Sequence, residues 1–295
     1  MIPRRIHFIF GLEPSFGNKP FSFVHYLAIR SAAVVNRPDE IVFHYAHEPD
    51  TKWWEAAKKL VTLDRVKPRD EIFGRPISHF AHKADILRLE LLNAEGGIYL
   101  DIDTFCIRPL EPLLVHDSVM GVEPNAGLCN AVILARPQSE FIKRWIEHYR
   151  DFDDTLWDLH SVQLPYSLAL AYPGLVHVES EYSFFFPTYD DPMALWLWQC
   201  DLGLADRVRG AFKVAQDTPY YLAKEGPVRI WGYLRHAVSS KRWFYERLRN
   251  SYCLHLWESI WWDAHLQRLN PKELARAEGL YAKLVIEVLP DVIGL

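Results

Sequence analysis

The chain has 295 residues, a net charge of −5, 49% hydrophobic residues and 14% aromatic residues. This composition suits one large folded domain and gives no electrostatic reason to expect nucleic-acid binding. The four cysteines show no C-x-x-C spacing, which excludes the common zinc motifs. No apolar run approaches the ~18–20 residues needed for a membrane-spanning helix.

The first third of the chain alternates predicted strands and helices. Strands are predicted at residues 5–10, 41–45 and 61–66, and helices at 21–35 and 49–59. This alternation predicts an α/β fold with an open, mostly parallel sheet and helices on both faces. Ligands of such sheets bind at the carboxyl ends of the strands.

Residues 78–110 contain the most informative pattern. An apolar helical stripe is predicted at Phe80, Ala84, Leu87 and Leu91. A polar stripe with a spacing of three consists of His82, Asp85 and Arg88. Gly96-Gly97 predicts the end of this helix, and residues 98–100 form a short apolar strand.

Two aspartates, Asp101 and Asp103, follow that strand. In an extended chain they point to the same side, where two carboxylates repel each other unless a cation lies between them. Oxygen ligands suit Mn²⁺ or Mg²⁺, and such an ion keeps positions open for a diphosphate. The alternative is a strand-ending turn with two solvated acids.

Asp85 and Arg88 suit the recognition of a sugar donor. A carboxylate accepts protons from sugar hydroxyls, and a guanidinium anchors a phosphate or a carboxylate. The alternative is a surface salt bridge between residues i and i+3, which contributes a few tenths of a kcal/mol.

The sequence K-A-D-I-L-R-L, followed by G-G-I-Y-L-D-I-D-T and C-I-R-P-L, resembles the DXD region of glycosyltransferase family 32. The resemblance implies a GT-A-like fold and sugar transfer with retention from a nucleotide diphosphate. A UDP-sugar is the favoured donor, with GDP-mannose as the alternative, and the acceptor is a saccharide or a lipid-linked sugar. Asp101 and Asp103 would be catalytic and hold Mn²⁺ or Mg²⁺, with Tyr99 in the donor site.

Two further segments resemble the family. I-P-R-R-I-H-F-I-F-G resembles its opening strand, which implies that Phe10 and Gly11 contact the nucleotide. Asn130-Ala-Val-Ile-Leu-Ala and the segment around Gln163 resemble elements at the donor sugar, where both residues are catalytic candidates. Asn130 could equally cap a turn.

The segment His255-Leu-Trp257-Glu-Ser-Ile-Trp261 resembles the element that closes the family's site. It implies that His255 ligates the metal or binds the diphosphate, and that Trp257 and Trp261 contribute to donor binding. This role requires the strand at 251–257 to lie beside the strand at 98–100. A lone histidine satisfied within the core is the alternative.

We expect a single catalytic domain over residues 1–295, with a nucleotide-sugar half (1–150) and an acceptor half (151–295). Residues 190–250 read as an acceptor-side insertion, and a C-terminal helix is predicted from Asn270 through Val285. The basic and aromatic segment 235–249 favours either peripheral membrane contact or a solvated helix with its aromatics in the core. The absence of a spanning segment predicts a cytoplasmic protein, with peripheral contact at the inner membrane as an option.

Three other functions use similar residues. A haloacid-dehalogenase-type phosphatase has a D-x-D-x-T/V motif near its start, whereas here the motif lies near residue 100 and Phe105 occupies the last position. A glycosidase needs opposed acids, which usually come from separate elements. A non-catalytic carbohydrate-binding protein would not need Asp85, Arg88 and both DXD acids together.

Overall fold

The computed structural model describes residues 1–199 and 241–295. Cα packing divides the chain into two compact units. The first comprises Met1–Phe185 and Tyr252–Leu256, and the second comprises Phe186–Ser251 and Trp257–Leu295. The functional division at residue 150 and the acceptor role of residues 190–250 stay predictions. Most of that insertion lies outside the described residues.

The strands of the first unit, in chain order, are β1 (Arg5–Ile9), β2 (Glu40–Tyr45), β3 (Thr62–Arg65), β4 (Glu71–Ile72), β5 (Arg75–Pro76), β6 (Gly97–Leu100), β7 (Thr104–Cys106), β8 (Ser118–Glu123), β9 (Gly127–Ala135), β10 (His177–Glu179) and β11 (Cys253–His255). Its helices are α1 (Phe23–Asn36), α2 (Lys52–Ala57), α3 (Phe80–Glu95), α4 (Glu140–Glu147), α5 (Leu164–Ala171) and α6 (Glu181–Phe184).

Seven strands form the central sheet in the order β10-β8-β9-β6-β1-β2-β3. The pairs β1–β2, β1–β6, β2–β3 and β8–β10 are parallel, whereas β9 is antiparallel to β6 and β8. The predicted α/β class with a mostly parallel, GT-A-like sheet is therefore confirmed. Strand β6 lies inside the sheet, so the aspartates that follow it emerge at a carboxyl edge, where such folds bind ligands.

The apolar sequence of the inner strands explains their position. Every residue of β6 and β9 is buried, as expected for strands covered on both faces. Tyr99 and Ile133, register partners on β6 and β9, belong to a cluster that α3 and α4 complete through Leu89 and Trp145. This packing fixes the end of β6 from which the two aspartates project.

The face that α3 buries differs from the prediction. Phe80 is 38% exposed, whereas His82, Asp85 and Arg88 are buried. Ala84, Leu87 and Leu91 are only partly buried and pack against the edge of the core. A polar stripe can be buried because Asp85 and Arg88 form an ion pair, which removes much of the cost of desolvating each charge.

Strands β8 and β9 form a hairpin, because β8 extends to Glu123 and β9 begins at Gly127. Two other sequence-based assignments need correction. Strand β11 pairs with β7, which follows the DXD motif, and not with β6. The predicted C-terminal helix is interrupted after Arg276.

The described residues of the second unit form the α-helices α7 (Lys241–Asn250), α8 (Glu258–Trp261), α9 (Pro271–Arg276) and α10 (Leu280–Val288). The Asn270 side chain accepts hydrogen bonds from the first turn of α9 and so caps this helix. The break before α10 falls near Gly279, where a Cβ would lie 2.2 Å from the Leu197 carbonyl oxygen. Backbone packing at that distance leaves no room for a side chain.

Helix α7 covers the described part of the basic segment 235–249. Its aromatic residues Phe244 and Tyr245 are buried, as the solvated-helix interpretation expects. Arg249 donates to Glu287 of α10 and so ties the helix to its own unit. Over the part of the chain that the structure describes, no helix combines the length and apolar character needed to cross a bilayer. Membrane contact stays a prediction.

Candidate active site

The DXD motif forms a tight turn between β6 and β7. The Thr104 amide donates to the Asp101 carbonyl at 2.9 Å, and the Asp101 amide donates to the Ala131 carbonyl of β9 at 2.8 Å. The backbone therefore turns where an extended path was expected. The carboxylates of Asp101 and Asp103 still converge, because the turn is held by both neighbouring strands.

Strand β11 brings His255 to these two acids from the far end of the chain. His255 is the register partner of Thr104, and the Leu256 amide donates to the Asp103 carbonyl at 3.1 Å. His255 Nε2 lies 3.2 Å from Asp103 Oδ1 and 3.9 Å from Asp101 Oδ2. The predicted convergence is therefore present, although it arises from pairing with β7.

The donor set fits a divalent cation. Ligand atoms of Asp101, Asp103 and His255 all lie within 4.8 Å of one another, and the described residues contain no other group of three or more such ligands. Adjacent ligands of an octahedral ion with bonds near ~2.1 Å are about 3 Å apart, close to the Asp103–His255 separation. Two carboxylates with one imidazole suit Mn²⁺ or Mg²⁺.

The electrostatics of His255 reflect the same arrangement. Burial by itself lowers the pKa of the imidazole, but the neighbouring carboxylates of Asp103 and Asp101 outweigh it and raise the pKa above its ordinary value. The two acids therefore favour the protonated form of the imidazole over the neutral form.

Arg88 joins the polar face of α3 to the DXD motif. Its guanidinium lies 3.1 Å from Asp85 Oδ1 and 3.1 Å from Asp101 Oδ1. It also donates to the Asn130 carbonyl at 2.8 Å and covers the Tyr99 ring, with its Cζ 4.4 Å from the ring centroid. The surface salt bridge considered from the sequence is therefore excluded, because the pair is buried and reaches a third charge.

Tyr99 and Asn130 complete this network. The Tyr99 hydroxyl donates to Asp101 Oδ1 at 2.6 Å, and the Asn130 amide donates to Asp85 Oδ1 at 2.7 Å. Burial raises the pKa of Asp85 in spite of its contacts with Arg88 and Asn130. One oxygen of Asp101 is thus held by Arg88 and Tyr99, while the other faces His255.

Phe10 and Gly11 follow the carboxyl end of β1. The Phe10 ring stacks on Phe16 with a centroid distance of 5.6 Å. Gly11 has φ of +71°, and a Cβ there would lie 2.3 Å from the His47 carbonyl oxygen. The glycine is therefore required by the turn itself, and nucleotide contact by either residue stays a prediction.

The remaining predicted residues occupy other positions. Gln163 is exposed at the end of the helical turn Leu159–Gln163, and its amide donates to Asp158 at 3.1 Å. Trp257 and Trp261 belong to the second unit. There the Trp257 indole donates to the Pro187 carbonyl at 3.1 Å, and Trp261 packs near His265. Substrate contacts of all three stay predictions.

Sequence reasoning assigned no role to His82, although it shares the three-residue spacing of Asp85 and Arg88. That spacing was the available signal, since it places all three on one face of α3. Asp154 and Trp157 lie close to His82 and carried no sequence signal. Asp154 is 72 positions away from His82 along the chain, and a loop residue at that distance has no periodic relation to α3.

Sequence comparisons with known proteins identify the family of this chain. A model of the glycosyltransferase sugar-binding region containing the DXD motif matches residues 26–120. Glucan organizing enzyme 1 of Cryptococcus neoformans var. grubii is 32% identical over 97% of this chain and 70% of its own length. Mannosyl phosphorylinositol ceramide synthase SUR1 of Saccharomyces cerevisiae is 30% identical over 24% of this chain and 19% of its own length.

Solved structures with similarity include mouse xyloside xylosyltransferase 1, with a TM-score of 0.44, 10% identity and coverage of 88% of this chain and 99% of that chain. The glycosyltransferase GlyE of Streptococcus pneumoniae has a TM-score of 0.44 and 10% identity, and the match covers 99% of this chain and 64% of that chain. The relationship is carried by the Cryptococcus sequence, which is similar over nearly all of this chain, and by the matched DXD region. The chain belongs to the DXD-containing sugar transferases of glycosyltransferase family 32.

Proposed function

We propose that the protein is a metal-dependent, retaining hexosyltransferase that uses a nucleotide-diphosphate sugar and a saccharide or lipid-linked acceptor. A UDP-sugar is the favoured donor, with GDP-mannose as the alternative. The observation that carries the proposal is the convergence of Asp101, Asp103 and His255 within 4.8 Å at the carboxyl end of β6. A phosphatase or a simple sugar-binding protein does not account for this group together with the buried Asp85–Arg88 pair.

In this proposal Asp101, Asp103 and His255 would hold Mn²⁺ or Mg²⁺. When bound, the cation neutralises the charge that develops on the departing diphosphate. Arg88 keeps one oxygen of Asp101 fixed, so the other oxygen faces the cation site in a set orientation. Asp85 uses Oδ1 for Arg88 and Asn130, and its second oxygen remains an acceptor for a sugar hydroxyl.

The same contacts support front-face attack over a covalent intermediate. A carboxylate oxygen that accepts charge-assisted hydrogen bonds has lone pairs engaged in those bonds and is a weaker nucleophile. Asp85 and Asp101 both accept such bonds from Arg88. The leaving phosphate would then take the acceptor proton, and Asn130 and Gln163 are the candidates for the far side of the sugar.

The yeast relative supports one alternative within this class. It is a mannosyl phosphorylinositol ceramide synthase, which suits a mannose donor and a lipid-linked acceptor. The predicted cytoplasmic location and the peripheral contact through residues 235–249 belong to the same proposal.

Metal-dependent donor binding provides the test. Isothermal titration with UDP and GDP should show at least tenfold tighter binding with Mn²⁺ than with EDTA for one of them. Incubation of the preferred nucleotide-sugar with an acceptor should release the nucleotide diphosphate and no inorganic phosphate. Equal affinity with Mn²⁺ and EDTA would contradict the metal role, and release of inorganic phosphate from the donor would favour a phosphatase.

A further inference from the structure

His82 lies on the same face of α3 as Asp85 and Arg88, about one helical turn nearer the amino end than Asp85. Three residues advance a helix by about 4.5 Å, so His82 is about 9 Å along the axis from Arg88. The order from the DXD motif outward is therefore Arg88, Asp85 and His82. A ligand that extends from the metal group past Asp85 would reach His82 next.

Asp154 fixes the orientation of His82. Asp154 Oδ1 lies 2.7 Å from His82 Nδ1, and Asp154 Oδ2 accepts a hydrogen bond from the Ser78 amide at 2.9 Å. A carboxylate accepts hydrogen bonds, so the neutral ring carries its proton on Nδ1. The lone pair of the imidazole is then on Nε2.

That lone pair is buried without a partner. His82 is 3% exposed, and none of the residues that the structure describes hydrogen-bonds to its Nε2. Leaving a buried polar atom unsatisfied destabilises the folded state, and such atoms in native proteins call for a physical reason. A hydroxyl donor from a ligand would remove this cost.

An exposed indole lies beside the His82 ring. Trp157 is 62% exposed, although large aromatic side chains usually bury most of their surface. Its ring centroid lies 5.6 Å from that of His82 and 4.9 Å from that of His79. Phe80, which is also partly exposed, stacks on the His79 ring with a centroid distance of 4.9 Å.

We propose that His82, Asp154 and Trp157 form a saccharide subsite at the amino end of α3. A sugar hydroxyl donates to His82 Nε2, while the apolar face of the pyranose packs on the Trp157 indole. Binding sites for small ligands usually combine an aromatic surface with a small number of oriented polar groups. Asp154 is a positioning residue, since it sets which ring nitrogen accepts. The inference rests on the proposed function, and the hydroxyl belongs to the donor hexose or to the acceptor sugar.

The experiment measures the contribution of the sugar to binding. UDP, GDP, UDP-glucose, UDP-galactose and GDP-mannose are titrated with Mn²⁺, and methyl glycosides of glucose, galactose and mannose are titrated with Mn²⁺ and nucleotide diphosphate present. The variants are Trp157→Ala, which changes an exposed side chain, and His82→Phe, which keeps the ring size. Leu156→Ala, at an exposed neighbour on the same loop, is the matched control.

We expect Trp157→Ala and His82→Phe to weaken binding of a sugar-containing ligand at least tenfold, and Leu156→Ala to change it less than twofold. A loss confined to nucleotide-sugars assigns the subsite to the donor hexose, and a loss confined to methyl glycosides assigns it to the acceptor. Wild-type affinity for every sugar ligand in the Trp157→Ala variant would overturn the proposal. If His82→Phe does not fold, the Trp157 result decides alone.

Two readouts separate the subsite from the metal site and from a purely structural role of Asp154. Failure of UDP and GDP to bind the wild-type protein would contradict the proposed function, while the methyl glycosides would still test the subsite.

For Asp154→Asn, the ¹⁵N spectrum of His82 should shift from the Nδ1-protonated towards the Nε2-protonated form, with a parallel loss of sugar affinity. An unchanged tautomer together with unchanged sugar affinity would remove Asp154 from the proposal.

Discussion

At the scale of single residues, the two aspartates of the DXD motif have different surroundings. Asp101 accepts hydrogen bonds from Arg88 and Tyr99 and is part of the buried network of α3. Asp103 contacts His255 at the other side of the turn. Both are candidate metal ligands, but only Asp101 also neutralises a buried guanidinium.

This difference predicts that the two Asp→Asn substitutions change stability by different amounts. Asp103→Asn should leave the free energy of unfolding near the wild-type value in EDTA, because it relieves repulsion between two acids and keeps an oxygen near His255. Asp101→Asn should lower it by about 1–3 kcal/mol, because Arg88 loses a charged partner. Urea unfolding in EDTA measures both values, and equal losses would contradict the division of roles.

Both variants should also lose their response to metal. A cation that binds only the folded state raises stability with its concentration, so Mn²⁺ should raise the Tm of the wild type. Neither variant should show this rise. A full Mn²⁺ response in Asp103→Asn would exclude Asp103 as a ligand.

Asp85 gives a test of donor recognition. Asp85→Asn should lower kcat/KM at least 100-fold, which corresponds to about 2.7 kcal/mol of transition-state binding. The amide is similar in size and retains one acceptor oxygen, so the fold should persist. Near wild-type turnover would indicate that the Asp85–Arg88 pair only stabilises α3.

At the scale of elements, the connection from α3 to β6 determines where the DXD motif emerges. Gly96 ends α3 with φ of +67°, and Gly97 starts β6 with φ of +112°. A Cβ on Gly97 would lie 2.6 Å from the Arg5 carbonyl oxygen of β1. The two glycines therefore let β6 enter the sheet directly beside β1.

Gly97→Ala should accordingly lower the free energy of unfolding by at least ~2 kcal/mol, from backbone strain together with the clash. Gly74→Ala is the matched control, because Gly74 also has a positive φ of +76° but no atom within 4 Å of its would-be Cβ. Chemical denaturation compares them, and equal losses would show that strain alone, without the close approach to β1, sets the cost.

At the scale of the whole molecule, a histidine pair links β1, β2 and β3 beneath the α3–β6 connection. His7 Nε2 lies 2.9 Å from the Gly96 carbonyl oxygen, His7 Nδ1 lies 3.0 Å from His44 Nε2, and His44 Nδ1 lies 2.7 Å from Asp64. Burial lowers the pKa of His7 to about 4, although the hydrogen bond with the Gly96 carbonyl acts to raise it. Burial also lowers the pKa of His44.

These shifts predict that acid destabilises the fold. Between pH 6.5 and about 4 the unfolded chain binds a proton at His7 that the folded chain does not, so stability falls as pH falls across this window. The shift of His7 corresponds to roughly 3 kcal/mol. Urea unfolding at several pH values should show the decline, and His7→Phe should flatten it. The same slope in the variant would contradict the assignment to His7.

The sequence alone determined the class of the fold and the local features of the site. Alternating apolar strands and helices predicted the parallel α/β sheet, because burial on both faces requires continuous apolar strands. The three-residue spacing of His82, Asp85 and Arg88 predicted one polar helical face, since helical period is a local property. The paired acids after a buried strand predicted the position of the candidate metal site.

Only the tertiary structure decided which distant residues complete that site and which face of α3 is buried. His255 reaches the DXD acids through pairing of β11 with β7, about 150 residues apart in sequence, and no local pattern encodes that partner. Asp154 meets His82 from a loop for the same reason. The polar face of α3 is buried because Arg88 finds Asp101 on another element, so the cost of desolvating its charge depends on a contact that exists only after folding.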